Sequence, residues 1–259
     1  MNTIENKITS ILSPVAGTFA VSAQEMRTKE KISINENLVF KSASVIKVPI
    51  LVELFCRRDE GGLSLDDIIE LKDEHKVEGS GVLKELHAGL RFTVLDLVTL
   101  MIVVSDNTAT NMLIDRLEIE SVTGRMRSFG LKDTVLARKM YDWEQAALGK
   151  ENLCTPMDIA LLLKLMAEGR ISSKSTSMEM LEIMAKQQCK EKIPLLLPEG
   201  VRVANKTGSL TGVTHDVAVV TAPGHEYVLV IMAKDAADTV AADRAIADAS
   251  KVVYEHFCS

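Results

Sequence analysis

The chain predicts an α+β fold: one antiparallel sheet of about five strands drawn from both ends of the sequence, flanked by terminal helices, with an all-helical lobe inserted between the strands. Three observations carry this. Apolar residues alternate with period two over residues 15–35 and again after residue 200. The intervening stretch of about a hundred and fifty residues follows helical spacing. Both ends carry amphipathic helical patterns. The sheet lobe then comprises residues 1–42 and 196–259, and the helical lobe residues 43–195. The cleft between them is the place for a site.

Taken in order, residues 3–13 put Ile4, Ile8, Ile11 and Leu12 on one side of a helix. Residues 15–23 and 32–35 alternate as strands, with Lys-rich polar residues forming the hairpin turn. A strongly apolar helix follows over 44–58 and stops at Gly61-Gly62. Pro49 falls in its first turns, where a missing N–H is least harmful. Further helices fit residues 93–104, 109–117, 120–129, 156–168 and 175–187, the fourth of them announced by Thr155 as cap and Pro156 at the first helical position. Met101, Met112, Met180 and Met184 fall at helical positions as core fillers. Residues 132–154 lose the period, and a connection of that length is often functional. Strands return over 201–209, 213–221 and 227–233, with a turn at Pro223-Gly224, before an amphipathic helix over 239–257.

The 47% hydrophobic content supplies ample core, so the chain should fold without staples. A net charge of -6 with no cluster of Lys or Arg argues against nucleic acid or an anionic membrane as partner. Cys56, Cys154, Cys189 and Cys258 are scattered and read as reduced thiols. The five histidines are dispersed and lack a metal-binding pattern, so no metal or cofactor is expected. No apolar run reaches membrane-spanning length. The opening residues lack a basic stretch followed by an apolar one, so the expected compartment is cytoplasmic as the sequence stands, or periplasmic or secreted if a leader precedes it. The expected partner is a small-molecule substrate, and the expected state a monomer.

The chemistry begins at Ser44-Val45-Ile46-Lys47. A serine followed three residues later by lysine at a helix opening brings hydroxyl and amine to one face. The hydroxyl is a poor nucleophile until a base takes its proton, and lysine is that base only where burial and a second cation lower its pKa. Two further triplets supply what the first needs. Ser105-Asp106-Asn107 follows an apolar helix, and Lys206-Thr207-Gly208 opens onto Ser209 in the first late strand. All three in this order would arise by chance about once in a thousand such chains.

This set resembles that of the class A β-lactamases and penicillin-binding proteins, whose motifs are S-x-x-K, S-D-N and K-T-G. The likeness extends to Gly79-Ser80-Gly81-Val82-Leu83, to the run from Ser105 to Asn111, and to the C-terminal strands and helix. It implies an α/β lobe and a helical lobe with the site between them. It also implies that Ser44 is the acylated nucleophile, Lys47 its proton acceptor, and Lys206 the charge that keeps Lys47 partly neutral and attracts a substrate carboxylate. Ser105 would pass the proton to the leaving nitrogen, Asn107 would bind the acyl amide, and Thr207 the carboxylate. The backbone N–H groups of Ser44 and Ser209, the latter reached past Gly208, would form the oxyanion hole. Asp106 would tie neighbouring backbone. β-Lactam hydrolysis is the activity implied.

The pattern breaks in the long connection. Relatives carry Arg-x-Glu-x-x-Leu-Asn there, whose glutamate activates the water that releases the acyl-enzyme. This chain has Arg138-Lys139-Met140-Tyr141-Asp142-Trp143-Glu144, with Met140 in the glutamate's place. Glu144 is the candidate replacement base, one helical turn on, and Asp142 the second. Asn152 replaces the aspartate that pairs with the loop arginine, so that clamp is expected to be lost. No arginine follows the Lys-Thr-Gly strand, and His215, nearby, reads as structural. Trp143 either lines a substrate pocket or plugs the loop onto the body. The alternatives to a β-lactamase are a penicillin-binding carboxypeptidase or small esterase or amidase, and a catalytically silent binding module.

Overall fold

The computed structural model describes residues 3–259. Its sheet has five strands in the order β2-β1-β9-β8-β7: β1 (Thr18–Glu25), β2 (Lys31–Ile34), β7 (Arg202–Leu210), β8 (Val213–Ala222) and β9 (His225–Lys234). Every pairing is antiparallel, and β1 joins the C-terminal strands through β9, with Ala20 opposite Met232.

Both faces of this sheet are covered, which is why its inner strands read as nearly unbroken apolar runs. Leu229 and Ile231 of β9 face one core, shared with Ile8 and Leu12 of α1 (Ile4–Leu12) and Ile246 and Val253 of α9 (Thr239–Phe257). The alternate residues Val228, Val230 and Met232 face the other core, which is continuous with the helices. Period two thus assigns each side chain to a layer.

That second core is organised around α2 (Lys47–Asp59), buried on every side from Lys47 to Cys56, as a helix without a polar face must be. Its one buried carboxylate, Glu53, is held by Arg57 at 2.9 Å and Arg125 at 2.7 Å. Around it pack α3 (Val94–Val103), α4 (Asn107–Leu117), α5 (Ile119–Ser128) and α8 (Lys174–Ala185), while α7 (Pro156–Ala167) backs the sheet. Thr93 caps α3 in a reciprocal bond with Asp96, and Thr155 caps α7 ahead of Pro156.

The inserted lobe is not wholly helical. Two short ladders, β3 (Phe40–Lys41) with β6 (Leu153–Cys154) and β4 (Ile68–Glu70) with β5 (Arg91–Thr93), lie at its edges. Strands of two or three residues are too short to display a period. A five-residue helix, α6 (Trp143–Ala147), interrupts the long connection. The four cysteines are unpaired, with Cys56 and Cys154 buried. Among the described residues, no helix is long and apolar enough to cross a membrane.

Candidate active site

Ser44 lies in a tight 3₁₀ turn, Ala43–Ile46, that feeds directly into α2. Residues three apart eclipse in such a turn, so Ser44 and Lys47 project to the same side. The turn is entered through Ala43 at φ +46°, a conformation that costs a non-glycine residue energy and recurs at functional sites. Strand β7 passes close by: a Cβ on Gly208 would stand 3.2 Å from the Ser44 backbone nitrogen and from the Ser42 carbonyl oxygen. A glycine here lets β7 and the Ser44 turn approach closely, where any side chain would crowd the turn's backbone.

Beneath Ser44, Lys47 is fully buried. Its Nζ lies 2.7 Å from the Ser105 carbonyl oxygen, 3.1 Å from Ser105 Oγ and 2.8 Å from Asn107 Oδ1. Lys206, equally buried, places its Nζ 3.1 Å from the same Ser105 Oγ and 2.7 Å from the Thr207 carbonyl oxygen. One hydroxyl therefore sits between two lysine amines. Ser105 itself is held at φ +55°. Burial, reinforced by the charge on Lys206, pushes the Lys47 amine well below its ordinary pKa, with Asp106 opposing. Burial is also the main cause that brings Lys206 down to about 8.

Asp106 fastens backbone. Its Oδ1 accepts from Ala109 N as the cap of α4, and its Oδ2 accepts from Val82 N at 2.6 Å and Leu83 N at 2.9 Å. Gly81, at φ +108°, lies so close that a Cβ would collide with the Asp106 carboxylate. The loop over 79–83 is thus tied to the start of α4, and Asn107 N donates to Ser80 O.

The cleft has a cavity volume of about 110 Å³ and is lined by Ser44, Asn107 and Ser209 among the expected residues, with Met140, Trp143 and Glu151 from the long connection. Lys47, Ser105 and Lys206 lie below its floor, and Thr207 and Gly208 lead β7 to its edge. Glu144 is not among the lining residues: it is the second residue of α6 and is exposed. The shift of one turn that was to carry this carboxylate to the water carries it to the surface instead. Asp142 is occupied as the cap of α6, accepting from Gln145 N. Met140 does face the cleft, 8% exposed, and its backbone is clamped twice by Asn111 of α4: Asn111 Nδ2 donates to Met140 O, and Met140 N to Asn111 Oδ1.

The arginine clamp is also not lost. Arg138 meets Glu151, one residue before Asn152, at 3.4 Å. Asn152 meanwhile takes Ala137 N and Arg138 N on its Oδ1, and its carbonyl accepts from Ser42 N, two residues before Ser44. His215 is buried and neutral, with burial lowering it to about 4, and bonds the Lys41 carbonyl. Sequence reasoning missed Lys192, a buried lysine whose Nζ stands 3.2 Å from Ser209 Oγ and 3.6 Å from Asp243. Its signal was faint, the last of three lysines, after Lys186 and Lys190, scattered ahead of Pro194 in an irregular stretch.

A five-stranded antiparallel sheet packed against helices, with Ser44 at a cleft and Lys47, Ser105 and Lys206 brought together beneath it, has the β-lactamase/transpeptidase-like fold. The beta-lactamase enzyme family model matches residues 3–257, and the chain belongs to that family of hydrolases. A curated relative, a beta-lactamase of Phocaeicola vulgatus, is 26% identical over 98% of this chain and 84% of its own. Among solved structures, a beta-lactamase from Sphaerobacter thermophilus is 34% identical with a TM-score of 0.91, covering 98% of this chain and 97% of that one. A point mutant of PBP-A, solved as its acyl-enzyme complex with penicillin-G, is 28% identical with a TM-score of 0.90, covering 98% and 96%.

Proposed function

We propose that the chain is a serine hydrolase that forms an acyl-enzyme on Ser44 with β-lactams and with related amides or esters, and that it releases the β-lactam product slowly. The observation that carries this is Met140. It stands in the cleft where a carboxylate would activate water, while Glu144 and Asp142 are turned elsewhere.

The acylating half follows from the lysine geometry. As an ammonium, Lys47 spends its three N–H bonds on Ser105 O, Ser105 Oγ and Asn107 Oδ1. As a neutral amine it has a lone pair to accept the Ser44 proton as Ser44 Oγ attacks the carbonyl carbon. Ser105 is the one neighbour of the three whose hydroxyl can donate in turn. It passes its proton to the leaving nitrogen and takes one from Lys47, so the proton count closes. Lys206 disfavours a second charge at Lys47 and draws an anionic substrate toward β7. PBP-A, whose mutant holds penicillin-G as an acyl-enzyme, supports the acylating step by similarity.

The test is intact mass followed together with product release after mixing with a penicillin. A lasting single adduct on Ser44, absent in Ser44→Ala, is expected. Met140→Glu should shorten its lifetime by about a hundredfold or more, the usual contribution of a positioned general base. A second reading, an efficient β-lactamase, is favoured by Glu151, a carboxylate that does line the cleft. Fast release by the wild type that Glu151→Gln abolishes would establish it.

A further inference from the structure

Behind β7, on the side away from Lys47, lies a carboxylate that the acylation steps do not touch. Asp216 of β8 stands opposite Thr207 in the β7–β8 ladder. Successive strand residues point to opposite faces, so Asp216 and Asn205 share the face covered by the terminal helices, while Lys206 projects from the other toward Ser105. Asp216, Asn205 and Lys206 are all fully buried. Asp216 Oδ1 accepts from Val217 N at 3.0 Å and from Asn205 Nδ2 at 3.1 Å, and its Oδ2 accepts from Ile193 N at 2.9 Å. Three N–H groups converging on two oxygens fit the ionised form, which only accepts. All three donors are uncharged, and a buried carboxylate held by neutral donors is costly to keep.

Three lysines stand one step out from it. Lys190 Nζ lies 3.2 Å from Asn205 Oδ1, so the Asn205 amide links that cation to the carboxylate. Lys192 precedes Ile193, and its Nζ lies 3.4 Å from the His215 carbonyl oxygen. Lys206 follows Asn205 along β7. The titratable groups that face Lys206 are Lys47 of α2, Asp216 of β8, and Cys189, Glu191 and Lys192 from the stretch before β7. Cys189 is a thiol and Glu191 is exposed to water, so Asp216 is the anion whose field acts through protein. Burial brings Lys206 down to about 8, and Cys189 and Asp216 oppose that fall. Burial raises Asp216 only to about 6, so its charge is in place throughout the range in which Lys206 gives up its proton.

We propose that Asp216 is a positioning residue for acylation: from behind β7 its carboxylate holds Lys206 and Lys192 as cations beneath the place an anionic substrate occupies. The proposal rests on the reading that Ser44 is acylated, and Asp216 acts only through the lysines. Without the carboxylate the clustered amines repel one another unopposed, and Lys206 loses its proton at lower pH.

The test follows Lys206 directly, by NMR of protein carrying isotope-labelled lysine, with the resonance assigned through Lys206→Arg. Its midpoint should fall by about one pH unit in Asp216→Asn and in Asp216→Ser, a roughly tenfold change in the ratio of charged to neutral amine. Acylation by benzylpenicillin, read by intact mass, should change in step. Its upper pH limb should move down by about one unit, while below about pH 7, where the lysines keep their charge, the variants should be no slower than the wild type. In a Lys206→Arg background Asp216→Asn should leave the upper limb where it is, because a guanidinium does not titrate there. A side chain that only props β8 would slow the reaction at every pH and leave the Lys206 midpoint unmoved. That result, or loss of the fold in both variants, overturns the proposal. A wild type that benzylpenicillin does not label, with the Lys206 midpoint still lowered by Asp216→Asn, overturns acylation and leaves the hold of Asp216 on Lys206 standing.

Discussion

In the proposed acylation, Ser105 Oγ, within 3.1 Å of two lysine nitrogens, makes protonation the control on reactivity. Lys47 must be neutral to act, and its lowered pKa makes it so as pH rises from the acid side. Lys206 must be charged, and that charge is lost as pH rises through about 8. The acylation rate should therefore be bell-shaped, with its upper limb near 8, and Lys206→Arg should move that limb upward; stopped-flow rates across about pH 5 to 10 check this. Lys192 adds a second expectation. Accepting from Lys192 leaves the Ser209 hydroxyl free to donate into the cleft. Lys192→Met should slow acylation by carboxylate-bearing β-lactams about tenfold or more and spare uncharged esters, measured as paired second-order rates. The triplets at Ser44, Ser105 and Lys206 were legible because their chemistry lies in short spacings. Lys192 and Glu151 were not, because each acquires its role from a partner that only the folded chain brings near. Glu144 misled for a related reason: counting along a loop fixes distance but not direction.

At the scale of elements, the long connection is held by its neighbours rather than by its own structure. Asn111 of α4 grips the Met140 backbone, and Asn152 grips Ala137 and Arg138. Asn111→Ala leaves two buried backbone groups unpaired, at a cost of about 2–4 kcal/mol. Its expected signature is a lower thermal midpoint with proteolytic nicking confined to residues 138–150, since α4 itself keeps its Asp106 cap. The long helices and most of the sheet could be read in advance because each buries enough apolar surface to stand out, by a period where one face is wet and by an unbroken apolar run in α2 and β9 where none is. The two short ladders and α6 bury too little to leave one, and their pairing depends on where distant segments happen to pass.

For the whole molecule, the core between the sheet and the terminal helices is separate from the cleft. Ile8 is fully buried there, against the far face of the sheet. Ile8→Ala should cost about 2–4 kcal/mol and lower the melting temperature by about 5–12 °C, with the acylation rate at 25 °C unchanged. Calorimetry beside a mass-based labelling assay separates the two effects. The strand order has a kinetic side as well. β1 pairs on one side with β2 and on the other with β9, whose residues follow roughly two hundred positions later. During synthesis the first hairpin leaves the ribosome with its β1 edge open, and that edge must stay so until nearly the entire chain has emerged. The helical insertion can collapse in the meantime, but the cleft cannot exist before β7 arrives to bring Lys206 against Ser105. A truncated nascent chain is thus chemically inert and sticky at once, and chaperone demand in the cell should fall on the interval between the first hairpin and the last strand.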